Sequence, residues 1–165
     1  MLPPWIPGTA RSFVGRHREA TTSDRSAAHG QTGSMVHDSV HVSTTIERPA
    51  TEVYGYAGDP RNLSEWAAGL ADQAVEMVDG RWTADSPLGR VVIAFVAPND
   101  LGVLDHDVTL PSGETVTNPM RVMPNGDGCD VVFTVRRRGM TDAELAADVD
   151  AVSRDLAKLR ALLES

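Results

Sequence analysis

From Thr141 to Glu164 one stripe of a helix is apolar from end to end: Leu145, Val149, Val152, Leu156, Leu159 and Leu163 follow one another at steps of four and three. Thr141 and Glu144 have the spacing of a capping box, in which each side chain accepts from the other's backbone N–H. Asp142 and Glu144 fall in the first turn, whereas Arg154, Lys158 and Arg160 come late, so the charges oppose the helix dipole favourably. Such a helix is on the order of 35 Å long at 1.5 Å per residue. Nearly everything between Val36 and Arg138 reads instead as short strands and turns. A long amphipathic helix must bury its stripe, and here a single sheet is the surface on offer. The chain therefore predicts an α+β fold: a curved antiparallel sheet of about seven strands, wrapped around one C-terminal helix.

The strands and turns read in order. Val40, Val42, Thr44 and Ile46 alternate with polar residues, as a half-buried strand requires. Arg48-Pro49 ends it, because proline cannot continue a ladder, and Pro49 suits the first turn of a helix. Val53, Tyr54 and Ala57 form the apolar side of that helix, which Gly58-Asp59-Pro60 stops. A second short helix is expected over about Asn62–Ala68, with Leu63, Trp66 and Ala67. Then come Val75 and Met77, an Asp79-Gly80 hairpin turn, Trp82 and Ala84, and a turn at Ser86-Pro87-Leu88-Gly89. Arg90–Val96, apolar on both faces, reads as a central strand. Strands over Val103–Leu110, Thr115–Met123 and Cys129–Arg137 complete the sheet, the last two joined through Asn125-Gly126-Asp127-Gly128. Hairpin-length loops imply antiparallel pairing, and with no βαβ unit a Rossmann or barrel fold is excluded.

Residues 1–35 differ in kind. Pro3, Pro4, Pro7, Gly8, Gly15, Gly30 and Gly33 punctuate a Ser/Thr/Arg-rich stretch without periodicity. The reading is a disordered tail ahead of one domain at 36–165, with a true start at Met35 as the alternative. The formal charge of −8 divides unevenly: four arginines against Glu19 and Asp24 give the first 35 residues +2 and leave −10 for the rest. An acidic domain repels phosphate backbones, which argues against nucleic acid as a partner. No run of about 18 apolar residues suggests a membrane span, and no apolar h-region suggests a secretory signal. The lone Cys129 forms no internal disulfide, which points to the cytoplasm.

The element order resembles the helix-grip fold of the START/SRPBCC superfamily, which includes polyketide cyclases and dehydratases, Bet v 1-like allergens and lipid-transfer domains. Ile46-Glu47-Arg48-Pro49-Ala50-Thr51-Glu52-Val53-Tyr54 is similar to the first strand-to-helix junction of its bacterial polyketide-cyclase-like branch. Asp59-Pro60-Arg61-Asn62-Leu63-Ser64-Glu65-Trp66 is similar to its second helix, with the tryptophan near the cavity mouth. The resemblance covers about residues 38–164. It implies a long apolar cavity between the sheet and the last helix. It carries over no catalytic residue, because the superfamily has no universal catalytic motif.

Few residues invite chemistry. His17, His29, His37, His41 and His106 lack a second donor at ligand spacing, so no metal and no cofactor is expected. Arg136-Arg137-Arg138 reads as a solvated strand end or, more sharply, an anion site at the cavity rim. Asp105-His106-Asp107 suggests a His–Asp dyad, but neighbours in a strand point to opposite faces. A different partner follows from register. Pro111-Ser112-Gly113 fits a three-residue hairpin loop with glycine in the left-handed position, so Leu110 opposes Glu114. Counting back, Val108 opposes Val116, His106 opposes Asn118 and Leu104 opposes Met120. A slip by one residue would turn Arg121 inward. His106 and Asn118 should thus lie side by side on the concave face, with Trp66, Trp82, Leu104, Met120, Phe133 and Leu156 as further candidates for a ligand wall. Each of these suits ordinary core packing equally.

Burial favours the neutral imidazole, which can bind a ligand carbonyl or hydroxyl or act as a base. Three functions stay open: a binding protein for a small apolar or aromatic molecule; a polyketide cyclase- or dehydratase-type enzyme with His106 as base and Asn118 orienting it; and a protein-interaction module working through its acidic surface or basic tail. A large pocket faced by His106 favours the first two, and the lack of a second acid in the expected wall favours binding over catalysis.

Overall fold

A computed structural model of the protein describes residues 36–67, 75–86 and 89–165. The tail expected over residues 1–35, the end of the second helix at Ala68 and the Pro87-Leu88 turn lie outside the described residues. The chain runs β1 (Ser39–Ile46), α1 (Ala50–Ala57), a 3-10 turn (Pro60–Asn62), α2 (Leu63–Trp66), β2 (Glu76–Val78), β3 (Arg81–Ser86), β4 (Gly89–Phe95), β5 (His106–Thr109), β6 (Thr115–Asn118), β7 (Met120–Asn125), β8 (Gly128–Arg136) and α3 (Asp142–Leu163). Every described strand pair is antiparallel, in the orders β1-β8-β7 and β2-β3-β4-β5-β6.

The two sheets meet inside one stretch. The strand expected over Thr115–Met123 is split at Pro119 into β6, on β5, and β7, on β8. Proline has no N–H for the ladder, and the Pro119 carbonyl accepts from Thr134 N–H at 2.9 Å. The expected register nevertheless runs straight through the break. His106 opposes Asn118, Leu104 N–H donates to the Met120 carbonyl at 2.9 Å, and Val103 bridges Arg121. The hairpin that sets this register has the expected form: Gly113 has φ +87°, and Leu110 N–H donates to the Glu114 carbonyl at 2.8 Å. Gly102 lies beside the same junction with φ +68°, where an added Cβ would stand 1.9 Å from the Val122 carbonyl oxygen. Glycine is required there both by conformation and by space.

Register also sorts the faces. Trp82, Ile93, Val108 and Val116 form one row across four strands, and Phe95, His106 and Asn118 form the next. These residues look inward, and Ile93, Val108 and Val116 are buried. The outer face of β4 is less apolar in environment than expected: Val92 is half-buried and Ala94 exposed, although β4 is central in its sheet.

The helix α3 begins in the expected capping box. Glu144 N–H donates to Thr141 Oγ1 at 3.3 Å, and Thr141 N–H to Glu144 Oε2 at 2.8 Å. Its far end is tied to the end of β1, where Glu164 Oε1 accepts from Glu47 N–H and the Leu163 carbonyl accepts from Arg48 Nε. Leu145, Val152, Leu156, Leu159 and Leu163 are buried in the common core, whereas Val149 is only partly so. Asp148, Ala151 and Asp155 complete the buried face. In the arginine run, Arg137 and Arg138 are bound into ion pairs rather than held free for an anion: Arg137 lies 2.7 Å from Asp142 and 3.6 Å from Asp38, and Arg138 3.2 Å from Glu114.

Candidate functional site

A cleft of about 770 Å³ opens between the α1 side of the molecule and the sheet. Tyr54, Gly55 and Gly58 line it from α1 and its cap, Pro60 from the 3-10 turn, and Trp82, Ile93, Phe95 and Leu104 from the strands and the approach to β5. Gly58 lets this helix end sit close: an added Cβ would lie 2.8 Å from Leu104 Cδ2. The loop 96–103 closes one side of the cleft, and Asn99 holds that loop. Its Oδ1 accepts from the N–H groups of Leu101 and Val103, and its Nδ2 donates to the carbonyls of Ala97 and Val103. Asn99 N–H in turn donates to the Tyr54 hydroxyl at 2.9 Å, which fastens the loop to α1. At the rim Asp59 is held by Arg61, whose guanidinium keeps the carboxyl below the usual carboxylate range.

His106 does not line this cleft. It lies one step further in, where Leu63, Trp66, Ala67, Phe133, Val152, Asp155 and Leu156 enclose with it a cavity of about 20 Å³. That is room for roughly one water. Phe95 relates the two spaces: it lines the cleft, and its ring centroid is 4.9 Å from that of His106, which lines the inner cavity. On the other side the Phe133 ring lies at 6.0 Å. His106 Nδ1 meets the Leu104 carbonyl oxygen at 3.1 Å, a contact that the N–H tautomer makes as a donor. Burial pushes the imidazole below its usual pKa, against the opposing pull of that carbonyl, Asp105 and Asp107. The two aspartates are occupied on the outer face, as strand parity demands. Asp105 accepts from Met120 N–H and from Arg121, and Asp107 from Thr117 Oγ1 at 2.6 Å.

A third, narrow hollow of about 10 Å³ lies toward the start of α3 and includes Asn118, Phe133, Arg138 and Asp148. Asn118 Nδ2 and Asp148 Oδ2 are buried there without hydrogen-bond partners among the described residues. Burial, with Glu144 nearby, raises the Asp148 carboxyl to about 8.

The expected single wall is thus divided. Trp82 and Leu104 face the open cleft; Trp66, His106, Phe133 and Leu156 enclose the inner cavity; Asn118 and Phe133 border the third hollow; and Met120, fully buried, packs in the core. Trp66, the last residue of α2, is not at the mouth, as the resemblance implied, but 3% exposed on the wall of the inner cavity. Among the described residues, Leu156 and Leu159 of α3 are packed into the core, and the space beside Leu156 is the small inner cavity rather than a long one. Sequence reasoning missed Asn99, Phe95 and the two buried acids. Asp148 and Asp155 lie seven apart, each three residues after a stripe member, so both belong to the inward face. The signal was present, but the stripe was read from apolar residues alone.

Curved antiparallel sheets, two short helices after β1 and a closing C-terminal helix define a helix-grip domain with an apolar cleft under its first helix. Residues 37–164 match the family described as polyketide cyclase / dehydrase and lipid transport, and the chain belongs to that family. Solved structures share the fold at low identity. DynU16, from the dynemicin biosynthetic locus, is 16% identical with a TM-score of 0.59; the match covers 78% of this chain and 48% of DynU16, so this chain spans about half of that protein. CalU16 from Micromonospora echinospora is 15% identical over 76% of this chain and 73% of its own, with a TM-score of 0.54. TTHA0849 from Thermus thermophilus is 21% identical over 78% of this chain and 99% of its own, with a TM-score of 0.53. No curated protein matches the chain in sequence. Among the described residues no group of three His, Cys, Asp or Glu side chains is placed to hold a metal, and no helix is long and apolar enough to cross a membrane.

Proposed function

We propose that the protein binds one small apolar or aromatic molecule in the cleft under α1. The observation that carries this reading is the cleft itself: about 770 Å³, walled by Trp82, Ile93, Phe95, Leu104 and Pro60. Small-molecule sites typically measure about 300–1,000 Å³ and have mainly apolar walls with a few polar groups. Membership of a family whose description joins cyclases and dehydrases with lipid transport supports the same class of ligand. A place in the cytoplasm, suggested by the lone buried Cys129, is compatible with such a carrier.

A second reading, catalysis on a polyketide-like substrate, gains support from one feature. Asp155 shares the inner cavity with His106, a second acid–base group that the wall expected from the sequence lacked. Asn118 opposes His106 across the strands but lines the next hollow, so Asp155 is the further candidate companion of His106 in that mechanism. Native mass spectrometry of the protein purified from its own host tests the first reading. A retained mass of one small organic molecule per chain is expected. Purely apo protein from several preparations, with no apolar compound binding on addition, would contradict it.

A further inference from the structure

We propose that the inner cavity is a subsite for a single oxygen: it receives the neutral carbonyl or hydroxyl of an otherwise apolar ligand whose body fills the cleft, with Phe95 as the partition that the ligand displaces. The inference rests on the binding reading above and specifies its ligand.

Three observations carry it. First, Trp66 is 3% exposed, and its indole Nε1 is buried without a hydrogen-bond partner among the described residues. An unmet buried donor is costly, so an acceptor belongs beside it. Second, the cavity that Trp66 shares with His106 and Asp155 measures about 20 Å³, which accommodates one oxygen-sized group and little more. Third, one side chain links the cleft to the wall of the cavity. Phe95 lines the cleft, opposes His106 across β4 and β5, and stacks against its ring at 4.9 Å. Phe95 is also only half-buried, so its cleft side is open to a ligand.

The chemistry of the three groups selects the ligand. The indole N–H only donates, and the imidazole, held toward its neutral form, donates through one nitrogen and accepts through the other. A carbonyl oxygen accepts from the indole, and so does a hydroxyl oxygen. A carboxylate or phosphate would bring negative charge beside the Asp155 carboxyl into a space with no arginine or lysine on its wall among the described residues. The subsite therefore favours neutral oxygen heads over anionic ones.

Decan-2-one labelled with 13C at the carbonyl is a suitable probe, read by infrared difference spectroscopy on the full chain. Bound to the wild type, its C=O stretch should fall below the frequency it has in hexane, as a single narrow band. Trp66→Phe should move that band back toward the hexane value and weaken ketone affinity about tenfold, the effect of one lost hydrogen bond. Decanoate should compete more weakly than the ketone. Displacement of Nile red reports occupancy of the cleft separately. A ketone that displaces Nile red yet keeps a hexane-like stretch, or whose stretch is unmoved by Trp66→Phe, would overturn the subsite and leave the cleft reading intact; the cavity would then hold a structural water only. If neither Nile red nor the ketone binds, the cleft reading itself fails and the subsite with it.

Discussion

At the scale of single residues, the buried titratable groups set opposite limits on stability. Asp148 has its carboxyl raised to about 8 by burial and by Glu144, against an unfolded value of about 3.9. The folded protein holds that proton where the unfolded chain would release it. The contribution is therefore complete below about pH 4 and is lost as the pH climbs through about 8. Glu144 faces Asp148 from its own helix, and Arg136 and Arg138 share the hollow from β8 and the segment after it. Asp148→Asn should match the wild type near pH 4 and be the more stable at pH 9, measured by urea denaturation at both. His106 acts with the reverse sign. Its folded pKa lies below the unfolded value of about 6.5, so its contribution is complete above that value and is lost as the pH falls toward the folded pKa. His106→Gln should flatten the acid limb of the same stability profile. The position of His106 was legible in the sequence because a glycine-closed hairpin and strict alternation leave one register. Its partners were not legible, since they arrive from α2 and α3, and no local pattern states which residues of a distant helix meet a strand.

At the scale of elements, α3 was the most legible part of the chain. Its cap, its charges and most of its stripe follow from local sequence, and the structure places that stripe in the core. Leu156→Ala should cost roughly 2–5 kcal/mol. Lys158→Ala, on the exposed side, should stay within about 0.5 kcal/mol. Thermal and urea unfolding of the two variants compare them directly, and equal losses would mean that the stripe does not face the sheet. The split of one expected strand at Pro119 was less legible. Proline was visible in the sequence, but whether it ends a strand or merely marks where a strand changes partners depends on β5 and β8 lying on either side. The loop 96–103 was missed altogether as an element with a role. Asn99 makes its bonds to backbone groups within the loop and to Tyr54, a residue of α1 far away in sequence.

At the scale of the whole molecule, the fold class was readable because a long helix after a run of short strands leaves few ways to bury its stripe. The location of the large space was not. A cavity between sheet and helix depends on how far α3 stands off, and the large inward residues at 156 and 159 bring it down onto the strands. Among the described residues the large cleft opens instead under α1, where Gly55 and Gly58 present no side chains to it. Gly55 gives the most direct test of the central claim, because a Cβ added there meets nothing within 4 Å. Gly55→Trp should fold as the wild type does and place an indole in the cleft. Titration of both proteins with Nile red, an uncharged apolar dye, should show saturable binding of one dye per chain to the wild type and its loss or strong weakening in Gly55→Trp. No saturable binding to the wild type, or equal binding to the two proteins, would contradict the account.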